Sequence, residues 1–457
     1  MNERRRIAVL DIGKTNAKVL VLDCETGVEI AERRVANRVL SGPPYPHYDV
    51  EALWAFIVEA LKAFAASPGY DAISITAHGA AAALLDEDGE LALPVLDYEH
   101  IYPAPVAETY AGMRPPFSET FSPALSGGLN LGAQLHYQKT VFPSEFRRVR
   151  SILTYPQYWA FRLTGVVATE VTSLGCHTDL WRPDRNEFSS LVDRLGLRSM
   201  MAPVRSAFDP LGPVLPALEI GLGKSVEVFC GIHDSNASLL PHLSRPAPFA
   251  VVSSGTWVVS FAVGGDIERL DPARDTLANV DAYGRAVPSS RFMGGREFEM
   301  LTAELGPCNA DAALAAMPAV LEAGMMLLPN VAEGSGPFPM CRRRWLGDAG
   351  ASSGERWAAA CLYLAMMTDV CLGLIGAKGP ILLEGPLASN PAFLSALRML
   401  GGRPVIAVGG TTGTSQGAGC LAGVALRMDG REIAEYPALS GIEQYRQRWV
   451  HEVTAHG

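Results

Sequence analysis

An apolar run, a short turn holding Gly and Thr, and a second apolar run occur near the start of the chain and again past its middle. The first reads Ile7-Ala8-Val9-Leu10-Asp11, then Ile12-Gly13-Lys14-Thr15-Asn16, then Ala17-Lys18-Val19-Leu20-Val21-Leu22-Asp23. The second reads Phe249-Ala250-Val251-Val252, then Ser253-Ser254-Gly255-Thr256, then Trp257-Val258-Val259-Ser260-Phe261-Ala262-Val263. Each is the pattern of two short strands joined by a tight polar turn. Its recurrence predicts two half-molecules, each opening with a strand, a Gly/Thr turn and a strand.

Around these hairpins, helix-like and strand-like segments alternate. The first half offers a helix over 50–66, a strand over 72–77 and a turn at Leu84-Leu85-Asp86-Glu87-Asp88-Gly89. The second half offers a helix over 354–375, a strand over 380–384, a helix over 391–400 and a strand over 404–408. A Gly/Thr/Ser turn then leads into an apolar segment over 418–426. Such alternation marks an α/β fold. Pro-rich and Gly-rich stretches at 102–116 and 122–132 read as irregular insertions over a site or interface. Pro241, Pro246 and Pro248 break regular structure, so the halves are expected to be residues 1–240 and 241–457.

The 457 residues are 48% hydrophobic and 19% charged, which allows a large core and excludes extended disorder. A net charge of −10 gives no global attraction to nucleic acid or to an anionic membrane. The triplets Arg4-Arg5-Arg6 and Arg342-Arg343-Arg344 lack interleaved aromatics and read as solvated surface. Eight cysteines occur without a Cys-x-x-Cys or paired histidines, so neither a zinc site nor a disulfide framework is indicated. Free thiols fit a cytoplasmic location. The apolar run after Arg6 stops at Asp11, too short for a secretion signal. The segment 357–377 approaches a membrane span in length but carries Asp369, and reads as a buried core helix.

A Gly/Thr turn frees backbone N–H groups and a hydroxyl to point at one place, which can hold phosphate oxygens. Two such turns suggest two grips on a polyphosphate, although any hairpin needs a turn glycine. Asp11, at a strand end, could hold Mg²⁺ or its waters, or serve as an Asx-turn residue. Lys14 could contact a transferring phosphoryl group, or be a solvated turn residue. Gly231-Ile232-His233-Asp234 follows an apolar strand. There Asp234 could accept a hydroxyl proton during attack on phosphorus, or cap the next helix.

Three other patterns are set aside. Gly221-Leu222-Gly223-Lys224-Ser225 ends like a phosphate loop, but its required first Gly falls on Leu218. Gly413-Thr414-Ser415-Gln416-Gly417 matches a nucleophile elbow, yet only His451 and His456 follow it. A strand-linked Gly-x-Gly-x-x-Gly is missing, which argues against a dinucleotide oxidoreductase.

Together these residues resemble the FGGY family of carbohydrate kinases, along nearly the whole chain. Asp11-Ile12-Gly13-Lys14-Thr15 is similar to the family's first phosphate motif, with Lys14 in place of a Thr. Ser254-Gly255-Thr256 is similar to the second, and Gly231-Ile232-His233-Asp234 resembles the catalytic-base motif. Leu163-Thr164-Gly165, with Thr169-Glu170 and Thr172-Ser173, resembles a first-domain segment. Leu383-Glu384-Gly385-Pro386 through Asn390 resembles the adenosine loop, with Pro386 replacing a glycine, and Gly417-Ala418 the final Gly-Ala step. On the sugar side Thr76-Ala77-His78-Gly79 and Asp97-Tyr98-Glu99-His100 stand where family motifs differ.

The resemblance implies an α/β fold of two actin-like, ribonuclease H-like domains flanking a deep interdomain cleft. It implies ATP-dependent phosphorylation of a small ketose or deoxyketose at a terminal hydroxyl, L-fuculose or L-rhamnulose before D-xylulose. Residues 1–240 would carry the sugar site and first phosphate motif, and 241–457 the second phosphate motif and adenosine site. Asp234 would be the catalytic base. Gly13, Lys14, Thr15, Gly255 and Thr256 would bind phosphates, and Asp11 would place Mg²⁺ through water. Gly295, Gly385, Pro386 and Asn390 would border adenosine; His78, Glu99, His100 and His233 would join Asp234 around the sugar. The partners implied are the sugar and ATP, with no nucleic acid or membrane. A homodimer is compatible with the sequence, which marks no symmetric interface. The alternative on the same fold is a catalytically altered ATP-binding sugar sensor, and a serine hydrolase using Ser415 is a more distant one.

Overall fold

In a computed structural model of the chain, which describes residues 4–221, 223–408, 413–425, 430–432 and 440–455, the first apolar run is buried on both faces. This run is strand β1 (Arg6–Ile12). Its Ala8, Leu10 and Ile12 enter one core cluster, and Ile7 and Val9 enter another. That two-sided burial explains why β1 is continuously apolar rather than alternating. It pairs antiparallel with β2 (Asn16–Asp23), which pairs antiparallel with β3 (Glu29–Ala36).

Helix α1 (Val50–Ala66) is capped by Asp49, whose side chain accepts the Ala52 N–H. It crosses to β4 (Ala72–Ala77), parallel to β1. Helix α2 (Tyr155–Thr164) joins α1 in covering one sheet face. Beyond β4 lie β5 (Glu227–Phe229) and β6 (Ile232–His233), both parallel to it. The other face is covered by α3 (Asp234–Leu239) and the helix Thr414–Leu421. The last two helices approach so closely that a Cβ on Gly417 would lie 1.8 Å from the Ala237 carbonyl oxygen. These elements belong to one unit, residues 4–244 with Ala278–Ala286 and the helix Thr414–Leu421.

The second unit contains Arg245–Leu277, residues 287–408 and the helix Ile442–Ala455. Its strands β7 (Phe249–Ser254), β8 (Val258–Val263) and β9 (Ala286–Phe292) form an antiparallel set. Helix α4 (Gly294–Leu305) follows β9, and α5 (Ser353–Leu374) leads to β10 (Ile381–Glu384), which is parallel to β7. Helix α6 (Pro391–Gly401) then leads to β11 (Val405–Val408), parallel to β10. The spatial orders are β5–β4–β1–β2–β3 and β11–β10–β7–β8–β9, so the two units share one topology.

Helix α5 starts at a capping box of Ser352 and Glu355. By length and composition it could cross a membrane, but 83% of its most apolar window is buried inside the protein. Its Asp369 pairs with Arg446 at 2.8 Å.

Three sequence expectations need correction. The stretch 102–116 is not wholly irregular, because Ala104–Met113 is a helix. Pro103 is its N-cap and Pro105 lies in its first turn, where a missing N–H costs no hydrogen bond. In the second hairpin, Ser253 and Ser254 belong to β7, leaving a tighter turn at Gly255–Trp257 closed by the Gly255 N–H donating to the Trp257 carbonyl. The final apolar segment is a helix that begins at Thr414 rather than at Ala418. Residues 409–412 of the preceding turn, and Leu222, Leu426 and His456, lie outside the described residues.

Candidate active site

Three parallel strands of the first unit end side by side, with Ile12 in register with Ala77 and Ala77 with His233. Asp11, His78, His233 and Asp234 therefore emerge at the carboxyl ends of β1, β4 and β6. That is where an open α/β sheet presents groups to a ligand.

Asp234 is the first residue of α3, and the cap position is held by His233, so the carboxylate is not the N-cap. Its Oδ1 accepts the Ser235 N–H at 2.6 Å and lies 3.3 Å from Nε2 of His233. Burial pushes the Asp234 carboxyl up to about 6, partly offset by His78, although 32% of its side chain stays exposed. Burial lowers both His78 and His233 to about 4, so both imidazoles are neutral near pH 7. Nδ1 of His233 is 3.4 Å from the Asn236 amide nitrogen, which orients Nε2–H toward Asp234. The His233 backbone N–H donates to Thr172 Oγ1 at 3.0 Å, and that hydroxyl donates to the buried Glu170.

Beside these residues is a ring of aromatic and charged groups. Tyr48, Tyr98 and Tyr155 surround the His78 ring at centroid distances of 5.0, 5.8 and 4.9 Å. Nδ1 of His78 is 2.8 Å from the Gly79 carbonyl, while its Nε2 is buried without a hydrogen-bond partner among the described residues. Lys14 donates to Asp97 Oδ1 and lies 3.6 Å from Glu99 Oε2. The same ammonium sits 4.7 Å from the Tyr98 ring and 5.1 Å from that of Tyr48. Asp97 is the buried carboxylate of its segment, whereas the Glu99 side chain is 67% exposed. His100 turns to the Tyr137 hydroxyl at 3.3 Å and packs on Tyr102 and Tyr137. Sequence reasoning missed Asp97, Tyr98 and Tyr48; the available signal was the carboxylate-aromatic-carboxylate run Asp97-Tyr98-Glu99.

The first Gly/Thr turn is closed by the Gly13 N–H donating to the Asn16 carbonyl at 2.9 Å. Asn37 braces it, its N–H donating to Thr15 O at 2.9 Å and its amide to Gly13 O at 2.8 Å. Thr15 is left exposed. Asp11 faces Lys18 across the hairpin, with 3.2 Å between Oδ2 and Nζ, and also accepts the Ser415 hydroxyl. Ser415 is buried, and its polar partners among the described residues, Asp11 and Lys18, include no histidine, so the hydrolase pattern finds no support there.

In the second unit, Ser253 and Glu384 are in register, so Gly255 and Gly385 follow adjacent parallel strand ends. Gly385 has φ +81°, a conformation suited to glycine, and a Cβ there would lie 2.1 Å from the Ser254 carbonyl oxygen. Pro386 opens a short 3₁₀ turn, Pro386–Ser389, where proline is tolerated. Ser254 Oγ donates to the Glu384 carbonyl and accepts the Leu387 N–H at 3.1 Å, which ties loop to turn. Asn390 caps α6 by accepting the Phe393 N–H at 3.1 Å. Gly295, in the first turn of α4, rests on the Gly255 turn, and the Arg296 N–H donates to the Thr256 carbonyl at 3.1 Å. Gly255 and Thr256 are exposed.

Two units of one strand order, each with an exposed Gly/Thr turn after its first strand, have a match in sequence. Residues 6–241 match the N-terminal domain of the FGGY family of carbohydrate kinases, and residues 246–432 match the carbohydrate kinase FGGY C-terminal domain. The chain belongs to the FGGY family of carbohydrate kinases. It is 38% identical to a carbohydrate kinase from Novosphingobium aromaticivorans of known crystal structure, over 98% of both chains with a TM-score of 0.92. It is 24% identical to an L-fuculokinase of Salmonella typhi over 272 residues, 57% of each chain. A rhamnulokinase of Halalkalibacterium halodurans is 24% identical over 266 residues, 54% of each. The chain thus matches little more than half the length of these two curated relatives.

Proposed function

We propose that the protein is an ATP-dependent sugar kinase that phosphorylates a terminal hydroxyl of a small ketose or deoxyketose, L-fuculose and L-rhamnulose first and D-xylulose next. The observation that carries this reading is the Asp234 carboxylate at the carboxyl ends of β1, β4 and β6, pushed up to about 6 by burial. A base titrating there is ionised at pH 7 yet basic enough to take a hydroxyl proton. Membership of the family and the names of the fuculokinase and rhamnulokinase relatives support the same reading.

As the sugar oxygen bonds to the γ-phosphorus, the bond from that phosphorus to the bridging oxygen breaks, releasing ADP. The hydroxyl proton passes to Asp234 Oδ. His233 holds the Asp234 carboxylate in place through Nε2–H, and His78 and Glu99 position the sugar. Turn amides and hydroxyls at Gly13–Thr15 and at Gly255–Thr256 are the phosphate ligands. Gly295, Gly385, Pro386 and Asn390 border the adenosine. Among the described residues no group of three or more His, Cys, Asp or Glu forms a metal cage. Asp11 would hold Mg²⁺ through water, and the ion would supply charge neutralisation. The protein acts in the cytoplasm on small molecules.

ADP release with Mg-ATP is the test, across L-fuculose, L-rhamnulose, D-xylulose, L-ribulose, D-ribulose, glycerol and erythritol. One strong responder, silenced in Asp234→Ala while ATP still binds, is the expected result. Full activity in Asp234→Ala would remove the base assignment. ATP binding with no turnover on any of these compounds would favour the sensor reading.

A further inference from the structure

The Lys14 side chain leaves the turn that carries Gly13 and Thr15 and ends among the groups around His78. Its ammonium donates to Asp97, approaches Glu99 at 3.6 Å, and lies over the faces of Tyr98 and Tyr48. His78 is influenced by the charges of both Lys14 and Asp234, and Tyr98 by those of Glu99, Asp234 and Asp97. Lys14 therefore belongs to the neighbourhood of the base. An ammonium has three donors; the Asp97 carboxylate takes one, and Glu99 at 3.6 Å adds only its charge. Asp97, nearly buried, needs this counter-charge. An ammonium already neutralised by two carboxylates attracts a phosphate weakly, but it keeps a directional N–H for a neutral oxygen.

We propose that Lys14 is a specificity residue for the acceptor rather than a phosphate ligand. It donates a remaining N–H to a hydroxyl or carbonyl oxygen of a neutral sugar. Asp97 and Glu99 beside Lys14, with Asp234 beside His233, set three carboxylates against one ammonium, a charge balance that disfavours a sugar acid. The proposal rests on the kinase reading only for its choice of sugars, because binding can be measured without turnover.

The test is calorimetric binding of L-fuculose, L-rhamnulose and D-xylulose without nucleotide, of D-gluconate as the acid, and of ATP without sugar. The proteins are the wild type, Lys14→Met and the double variant Lys14→Met/Asp97→Asn, which leaves no uncompensated buried carboxylate. Loss of one hydrogen bond from a charged donor predicts sugar binding weakened about tenfold or more in both variants. ATP binding should stay within about twofold, and the double variant should regain thermal stability without regaining sugar affinity. Sugar binding unchanged in both variants, or ATP binding weakened with sugar binding intact, overturns the proposal. So does a wild type that binds D-gluconate in preference to the neutral sugars. A wild type that binds a sugar but releases no ADP defeats the kinase reading and leaves the Lys14 comparison valid.

Discussion

Gly79 and His233 meet so closely that a Cβ on Gly79 would fall 2.5 Å from Nε2 of His233. His233 is 4% exposed, and a Cβ on Gly79 would also fall 2.9 Å from its Cδ2. A glycine beside the base motif thus sets the distance between the imidazole and Asp234.

Gly79→Ala is expected to push the His233 ring off Asp234. Overpacking of this kind costs about 1–3 kcal/mol of stability. A misplacement near 1 Å at a catalytic group can lower kcat by about a hundredfold. Steady-state kinetics with a melting curve check this; unchanged kcat in a variant of reduced Tm would show that His233 does not position the base.

The Asp234 carboxyl, raised to about 6, predicts a single ionisation in kcat/KM. Activity should rise tenfold per pH unit well below that value and level off above it, because the base must be ionised. His78 and His233, held at about 4, stay neutral through that range and add no second limb. Asp234→Asn should lower kcat by about 10²–10⁴ and abolish the dependence. A profile flat from pH 5 to 8 in the wild type would refute it.

Glu170 is fully buried, and burial pushes its carboxyl up to about 7 despite hydrogen bonds from Thr172. Its folded pKa exceeds its unfolded value, so the stability it contributes is present at low pH and is lost as pH rises through 7. Glu170→Gln stays neutral and still accepts the Thr172 hydroxyl. It should be more stable than the wild type at pH 8, by up to about 3 kcal/mol, and little different at pH 5. Thermal melts at the two pH values decide, and an equal shift at both would contradict the burial argument.

A Cβ on Gly295 would lie 1.9 Å from the Gly255 carbonyl oxygen. Gly295→Ala must therefore move α4 away from the Gly255–Thr256 turn. KM for ATP is expected to rise about tenfold or more, with a stability loss of about 1–3 kcal/mol. Nucleotide titration of the variant measures the first, and unaltered ATP affinity would separate this turn from the phosphates.

Much of the architecture could be read in the chain itself. The runs that became β1, β2, β7 and β8 are apolar because each is covered in a sheet, and the residues between them are too few for anything but a turn. Helices α1 and α5 carry their own caps at Asp49 and at Ser352 with Glu355. The helix Ala104–Met113 was hidden because proline reads as a breaker unless its place in the first turn is known.

Residue type alone determined which groups could do chemistry: an aspartate after a strand, glycines in turns, histidines beside them. Tertiary structure decided which of them act together. Asp11 receives a hydroxyl from Ser415, 404 positions along the chain, and no local pattern encodes that pairing. Lys14 has a long flexible stem, so its direction was set by a buried carboxylate at Asp97 and two tyrosine faces brought in from other segments. Sequence specifies backbone geometry through local sterics and periodic burial, whereas the partners of a charge depend on where the fold leaves its opposite.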